Sequence, residues 1–166
     1  ELTQVEEAVA NFAASCSRKL KEQKSCCSSM TVFAYTSRFR IDLPSHAINR
    51  TVTFPVPTND QQELAASAVR ALRSEWRKGN TYLYKKAGVI VWDICPDSAI
   101  QTNLFDTIDR EKQSRLAAAI DAINRKNGHN TIKVAVQGTT DKSWHLKCEH
   151  ISKQYTTNLD DVILVK

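Results

Sequence analysis

Asn49-Arg50-Thr51-Val52-Thr53-Phe54-Pro55-Val56 alternates small polar with large apolar side chains, and the architecture follows from that alternation. A period of two belongs to a strand. Val52, Phe54 and Val56 turn inward while Thr51 and Thr53 turn to water, so the chain contains a sheet with one wet face. Pro55 places the end of this strand at an edge or a termination. Thr58 and Gln61, three residues apart, have the form of a capping box. Leu64, Ala65, Ala68, Leu72 and Trp76 then make the buried stripe of a helix that Gly79 ends.

Upstream, Leu2, Val5, Val9, Phe12, Cys16 and Leu20 recur at helical spacing with charges on the other face, which predicts an amphipathic helix over 2–22. After a Ser/Cys/Lys-rich break at 23–29, the segment from Met30 to Arg40 reads as a strand and Leu43 to His46 as a loop. Tyr84 to Cys95 is a third strand, closed by Pro96. The order helix, strand, strand, helix, strand is the α+β split βαβ arrangement lacking its opening strand, which would precede Glu1. Both helices then share one sheet face. The other face is bare and open to a partner.

Residues 97–106 lose periodicity and read as a linker. A third helix follows, with Leu116, Ala119, Ile120 and Ile123 as its apolar face and Asn127-Gly128 as its stop. Thr131 to Gln137 and Trp144 to Ile151 are expected as strands, and Val162 to Val165 as a short apolar end. The organisation is therefore 1–96, a linker at 97–106, and a small α/β tail at 107–166.

The 166 residues are 42% apolar and 25% charged, which excludes disorder and fibre. The longest apolar run, Ala87 to Trp92, falls far short of the roughly 20 residues of a membrane span, so a soluble chain without membrane partners is expected. Net charge is +5, and residues 1–95 carry thirteen basic and nine acidic side chains, so most of the excess lies in the first unit. Any polyanion should be sought there. Five cysteines without regular spacing argue against a disulfide framework and for a reducing, cytoplasmic setting. An opening inside a helical pattern at Glu1, with Met30 the only methionine, suggests a piece of a longer protein.

Two constellations bear on function. A sheet that grips phosphates needs small polar side chains, backbone N–H groups and a few cations, because a backbone grip gives affinity without sequence choice. Thr36, Ser37, Arg38, Arg50, Thr51, Thr53, Lys85, Lys86 and Gly88 supply those types on or beside the strands, with Thr51 and Thr53 best placed. Gly88 would let a phosphate approach the main chain. The bland alternative for each is an ordinary solvated sheet residue. Gln101-Thr102-Asn103-Leu104-Phe105 sets two large apolar side chains in a polar linker, either as peptide anchors for a partner or as a lead-in that staples the third helix.

Other candidates are weaker. Arg70, Arg73 and Arg77 form a basic stripe on the second helix, which reads as a solvated face because helices cover the far side of the sheet. His145 and Cys148 would point to opposite faces of a strand, and with His150 they find no second cluster, so no metal site is expected. Cys26-Cys27 lacks the spacer of a dithiol motif. No carboxylate set suits two magnesium ions, and four glycines make no phosphate loop, so no catalytic residue is assigned.

Met30 to Ser37, Thr51 to Thr58, Tyr84 to Val91, Gln101 to Asp106 and Gln154 to Thr157 together resemble the carboxy-terminal part of UmuC-type Y-family translesion DNA polymerases, the ImpB/MucB/SamB group. The resemblance spans nearly the whole chain. It implies that the first unit is a little finger holding template-primer DNA. It also implies that Gln101, Asn103, Leu104 and Phe105 bind the sliding clamp, with Thr102 where the usual peptide prefers leucine. The tail then matches one peculiar to UmuC proteins. The parent would be an error-prone polymerase of the SOS response and DNA repair, with magnesium in a palm domain absent here. UmuD-type accessory subunits and a recombinase filament are further implied partners. Two rivals stand beside this reading: a module whose sheet binds protein rather than DNA, and a small metal-dependent enzyme using the His145 to His150 region.

Overall fold

The computed structural model describes residues 1–166 except Lys78, Asn80, Thr102, Leu104, Phe105, Thr107, His129, 140–143, 145–149 and 164–166. Helix α1 covers Leu2–Glu22, strand β1 Ser25–Thr36, strand β2 Ala47–Thr58, helix α2 Gln61–Glu75, strand β3 Tyr84–Pro96 and helix α3 Arg110–Asn127. The strands form one antiparallel sheet in the order β2-β1-β3. With β1 at the centre, a further strand could pair only along the outer edge of β2 or β3. The architecture is α+β, with α1 and α2 on one face of the sheet, as the patterning implies.

Alternation sets that layering. Met30, Val32 and Ala34 of β1 pair with Val52, Arg50 and Ile48 of β2 and with Val91, Val89 and Ala87 of β3, so one face is almost wholly apolar. Against it α1 places Val9, Ala10, Ala13 and Leu20, and α2 places Leu64, Ala65, Ala68 and Leu72. The small residues let the helices approach the sheet and each other closely. Across the helix pair, Arg73 donates from Nε and Nη2 to the two carboxylate oxygens of Glu6 at 2.6 and 3.0 Å. Arg73 of the basic stripe thus bridges the two helices from their solvated side, its side chain largely exposed.

Several boundaries move. Strand β1 begins at Ser25 rather than Met30 and stops at Thr36 rather than Arg40, because Cys26 and Cys27 are buried while Arg38 to Asp42 form an exposed loop. The N-cap of α2 is Asp60, whose carboxylate accepts from the Gln62 N–H at 3.2 Å. The Thr58 hydroxyl instead accepts from the Asp60 N–H at 3.1 Å, a turn just ahead of the helix. Helix α2 stops at Glu75, short of Gly79.

The tail departs most. Residues expected as a strand from Thr131 to Gln137 form turns and a short 3₁₀ helix at Ala135–Gln137, and they dock on the helix layer. Gln137 is the peg, at 1% exposure. Its side-chain oxygen accepts from Gln61 Nε2 and from the Val134 N–H, both at 2.9 Å, and its backbone carbonyl accepts from Asn11 Nδ2 at 2.9 Å. Helix α3 has no fully buried residue; Leu116 and Ile123, expected in its core face, are 48% and 38% exposed. Leu116, Ile120 and Ile132 instead line an open groove of about 360 Å³ beside α2. The expected strand from Trp144 and the end of the terminal apolar run lie largely outside the described residues. Among the described residues no helix is long and apolar enough to cross a membrane.

Burial pushes the Cys26 thiol up to about 11 and the Cys27 thiol up to about 12 from an ordinary 9.0. The folded chain thus favours the protonated thiols, whereas unfolded thiols ionise near their ordinary value. Stability from this source is complete below about pH 9 and is lost as pH rises toward the folded values. Urea midpoints should fall between about pH 8.5 and 10.5, with Cys27 refractory to iodoacetamide in the folded protein at about pH 8. Level midpoints, or rapid Cys27 labelling, contradict this assignment.

Candidate nucleic-acid interface

The face turned away from the helices is ordered in rows. Thr53, Ser29 and Trp92 lie side by side across β2, β1 and β3; then Thr51, Thr31 and Ile90; then Asn49, Phe33 and Gly88; then Ala47, Tyr35 and Lys86. The four rows span about 20 Å at the rise of an extended chain. Thr51 and Thr53 are exposed, as are Asn49, Lys86, Ile90 and Trp92. The β2 side of the face is therefore a ladder of small polar groups.

Hydrogen bonds tie the middle of this face together. Thr31 Oγ1 and Thr51 Oγ1 lie 2.8 Å apart, either serving as donor, and the Trp92 indole N–H donates to Thr31 Oγ1 at 2.9 Å. Phe33 and Tyr35 stack at 5.1 Å toward the Lys86 end.

The nine residues singled out from the sequence do not all meet here. Thr51, Thr53 and Lys86 share the open face. Lys85 is exposed at an irregularity where the pairing slips between Tyr35–Lys86 and Thr36–Tyr84, a β-bulge. Arg50 pairs with Val32, so it stands in the helix-facing phase, and its guanidinium reaches Glu75 of α2 at 3.5 Å. The Thr36 hydroxyl closes the β1–β2 loop, accepting from the His46 N–H at 2.9 Å and donating to the His46 carbonyl at 3.2 Å. Ser37 and Arg38 belong to that loop, where the Ser37 hydroxyl accepts from the Phe39 N–H at 3.4 Å and Arg38 is exposed.

Gly88 is a correction. A Cβ there would sit 2.5 Å from Phe33 Cζ, so the glycine accommodates the Phe33 ring, which occupies the space a phosphate would need. Asn49, Ile90 and Trp92 were missed. Continuing the alternation outward from Thr51 and Gly88 would have found them.

Of the linker candidates, Gln101 and Asn103 are exposed, whereas Leu104 and Phe105 lie outside the described residues. The far end of the linker is anchored: Arg110 donates to Asp106 Oδ2 at 2.6 Å and to Glu63 Oε2 at 2.7 Å, and this guanidinium holds the Asp106 carboxyl below its ordinary range. His145 and Cys148 also lie outside the described residues. Among the described residues no three metal-ligating side chains gather.

Among the described residues, layering and face define an α+β module with one side of its sheet left open. A family model described as the impB/mucB/samB family C-terminal domain matches residues 1–104, and one described as a domain of unknown function, DUF4113, matches residues 114–165. Protein UmuC of Salmonella typhimurium is 33% identical over 164 residues, which cover 98% of this chain and 38% of that protein. Protein ImpB of Salmonella typhimurium is 34% identical over 161 residues, 96% of this chain and 37% of its own length. Protein MucB of Escherichia coli is 34% identical over 158 residues, 95% and 36% respectively. The chain belongs to the impB/mucB/samB family. It spans less than two fifths of the length of these relatives.

Thr51→Val keeps the side-chain shape and removes the hydroxyl that meets Thr31. It should cost about 0.5–1.5 kcal/mol in urea unfolding, while the emission maximum of Trp92, bonded to Thr31, stays in place. A loss several times larger would mean that Thr51 carries packing this arrangement does not give it.

Proposed function

We propose that this chain is the DNA-holding, non-catalytic carboxy-terminal part of an error-prone translesion DNA polymerase of the SOS response, acting in the cytoplasm. The nucleotidyl transfer and its magnesium ions then belong to a palm domain beyond these residues. The observation that carries the reading is the exposure of Thr51 and Thr53, with Asn49 and Lys86, on the sheet face opposite the helices. Hydroxyls and amides on an extended surface suit phosphate and sugar oxygens, and their neutrality suits a grip that has to pass altered bases without reading them. The cations Lys85, Lys86 and Arg38 sit at one end of the face, giving attraction without a cationic sheet. Family membership supports the same reading.

Within this reading the linker binds the sliding clamp, Leu104 and Phe105 entering an apolar pocket while Gln101 and Asn103 bond at its rim. Tethering raises the local concentration of the polymerase at a primer end without altering its chemistry. A second reading, a protein-binding module, draws on the β1–β2 loop, where Phe39 and Ile41 are 96% and 100% exposed.

Titration of a labelled duplex decides between the two. Binding should weaken steeply with salt, and a T51A/T53A/K86A variant should weaken it for all sequences alike, with the salt slope reduced by about one for the lost lysine. Failure of the wild-type chain to bind duplex at low salt removes the DNA reading. Separately, L104A/F105A should abolish clamp binding in a pull-down while the melting temperature holds; undiminished clamp affinity excludes the linker as its site.

A further inference from the structure

The β3 side of the open face is not explained by a phosphate grip. Ile90 and Trp92 are 40% and 50% exposed, two large apolar side chains on the strand that borders the sheet. On the same face the central residues Ser29 and Thr31 are only 8% and 9% exposed, although the helices lie on the other side. Both lie on the central strand, and Trp92 is one of the side chains that flank them. It stands directly opposite Ser29, and its N–H reaches the diagonal neighbour Thr31 at 2.9 Å. The N–H edge of the indole is thus fixed over the middle of the sheet, while half of the side chain stays open to solvent.

That orientation has a chemical meaning. The single polar atom of the indole is spent on Thr31, which is itself bonded to Thr51 of the polar ladder. The ring is held at that edge and still leaves half of its surface to solvent, with no polar atom free. A fixed flat plate with no free polar edge, beside hydroxyls and on a face bearing Lys86, matches a flat aromatic group joined to an anionic backbone. Stacking of that kind tolerates any base, because every base has a π face. Paired bases in a duplex have no such face free.

We infer that Trp92 is a stacking site for an unpaired nucleobase, so that the sheet holds a single-stranded stretch next to the duplex it grips. This inference rests on the DNA reading of the face and adds a second, uncharged mode of contact to it. Ile90, one row along the same strand, adds an apolar neighbour on this face.

The experiment compares a fluorescein-labelled oligo-dT with a duplex of equal length on the full chain. Trp92→Ala should weaken oligo-dT binding by about tenfold or more, change duplex binding by less than about twofold, and leave the salt slope of both unaltered because the ring neutralises no phosphate. Should W92A fold poorly, W92F serves instead. It keeps a flat ring without the N–H and should retain most oligo-dT affinity, whereas W92L should lose it. In a W76F/W144F background the remaining Trp92 emission should be quenched by oligo-dT. Equal oligo-dT affinity of W92A or W92L and wild type, or unquenched emission at saturation, overturns the stacking site while salt-sensitive duplex binding keeps the grip intact. If wild type binds neither form of DNA, the reading of the whole face fails first. Apolar peptide binding that W92A abolishes, without any binding of oligo-dT, assigns the plate to a protein partner and overturns the inference.

Discussion

A strand has two faces, and in this chain two helices claim one of them. Every functional statement about the sheet descends from that division, because a slip of one residue would carry each side chain to the opposite side. Met30, Val32 and Ala34 at the centre, with Val52 and Val89 beside them, fix which side meets α1 and α2. Thr51 and Thr53 are available to a partner because Val52 and Phe54, their neighbours in sequence, turn to the helices.

The same division sorts the charges. Arg50 sits between Asn49 and Thr51 of the open ladder yet belongs to the other side, where Glu75 receives it. What is left outward on β2 is neutral and short, and the cations gather at the end where β1 turns toward β2. Such a surface attracts a polyanion from a distance and then holds it through many weak, uncharged contacts. An interface of this kind distinguishes poorly among sequences, since the groups it meets recur at every nucleotide.

Much of this could be read in the sequence. The spacing of Leu2, Val5, Val9 and Phe12 specified α1 to the residue, and the alternation around Thr51 specified both the strand and its outward side, because period is a property of the local chain. What escaped depended on contacts made at a distance. Gly88 looked like an opening and is filled by Phe33 from the next strand; nothing near Gly88 announces that ring. Asp60 took the cap from Thr58 because the chain turns two residues later than the motif suggests. Thr131 to Gln137 has a strand's alternation, but its fate was decided by Asn11 and Gln61, more than seventy positions away. Leu116 and Ile123 carry a helical stripe that the rest of the chain only half covers. The linker pattern could be named from sequence, although Leu104 and Phe105 lie outside the described residues.

Gln137 also bears on how this protein can be dissected. The two family matches invite a cut between residues 104 and 114, as if the halves were separable. Yet the amide of Gln137 is a stopper seated in a socket made by Asn11 of α1 and Gln61 of α2, both in the first half. Excising the second half would uncork that socket and leave its polar lining to refill with solvent. An isolated amino-terminal half would differ from the same residues in the whole chain on the side facing away from the sheet's open surface, and a boundary drawn after Gly138 would preserve what one drawn after Asp106 removes.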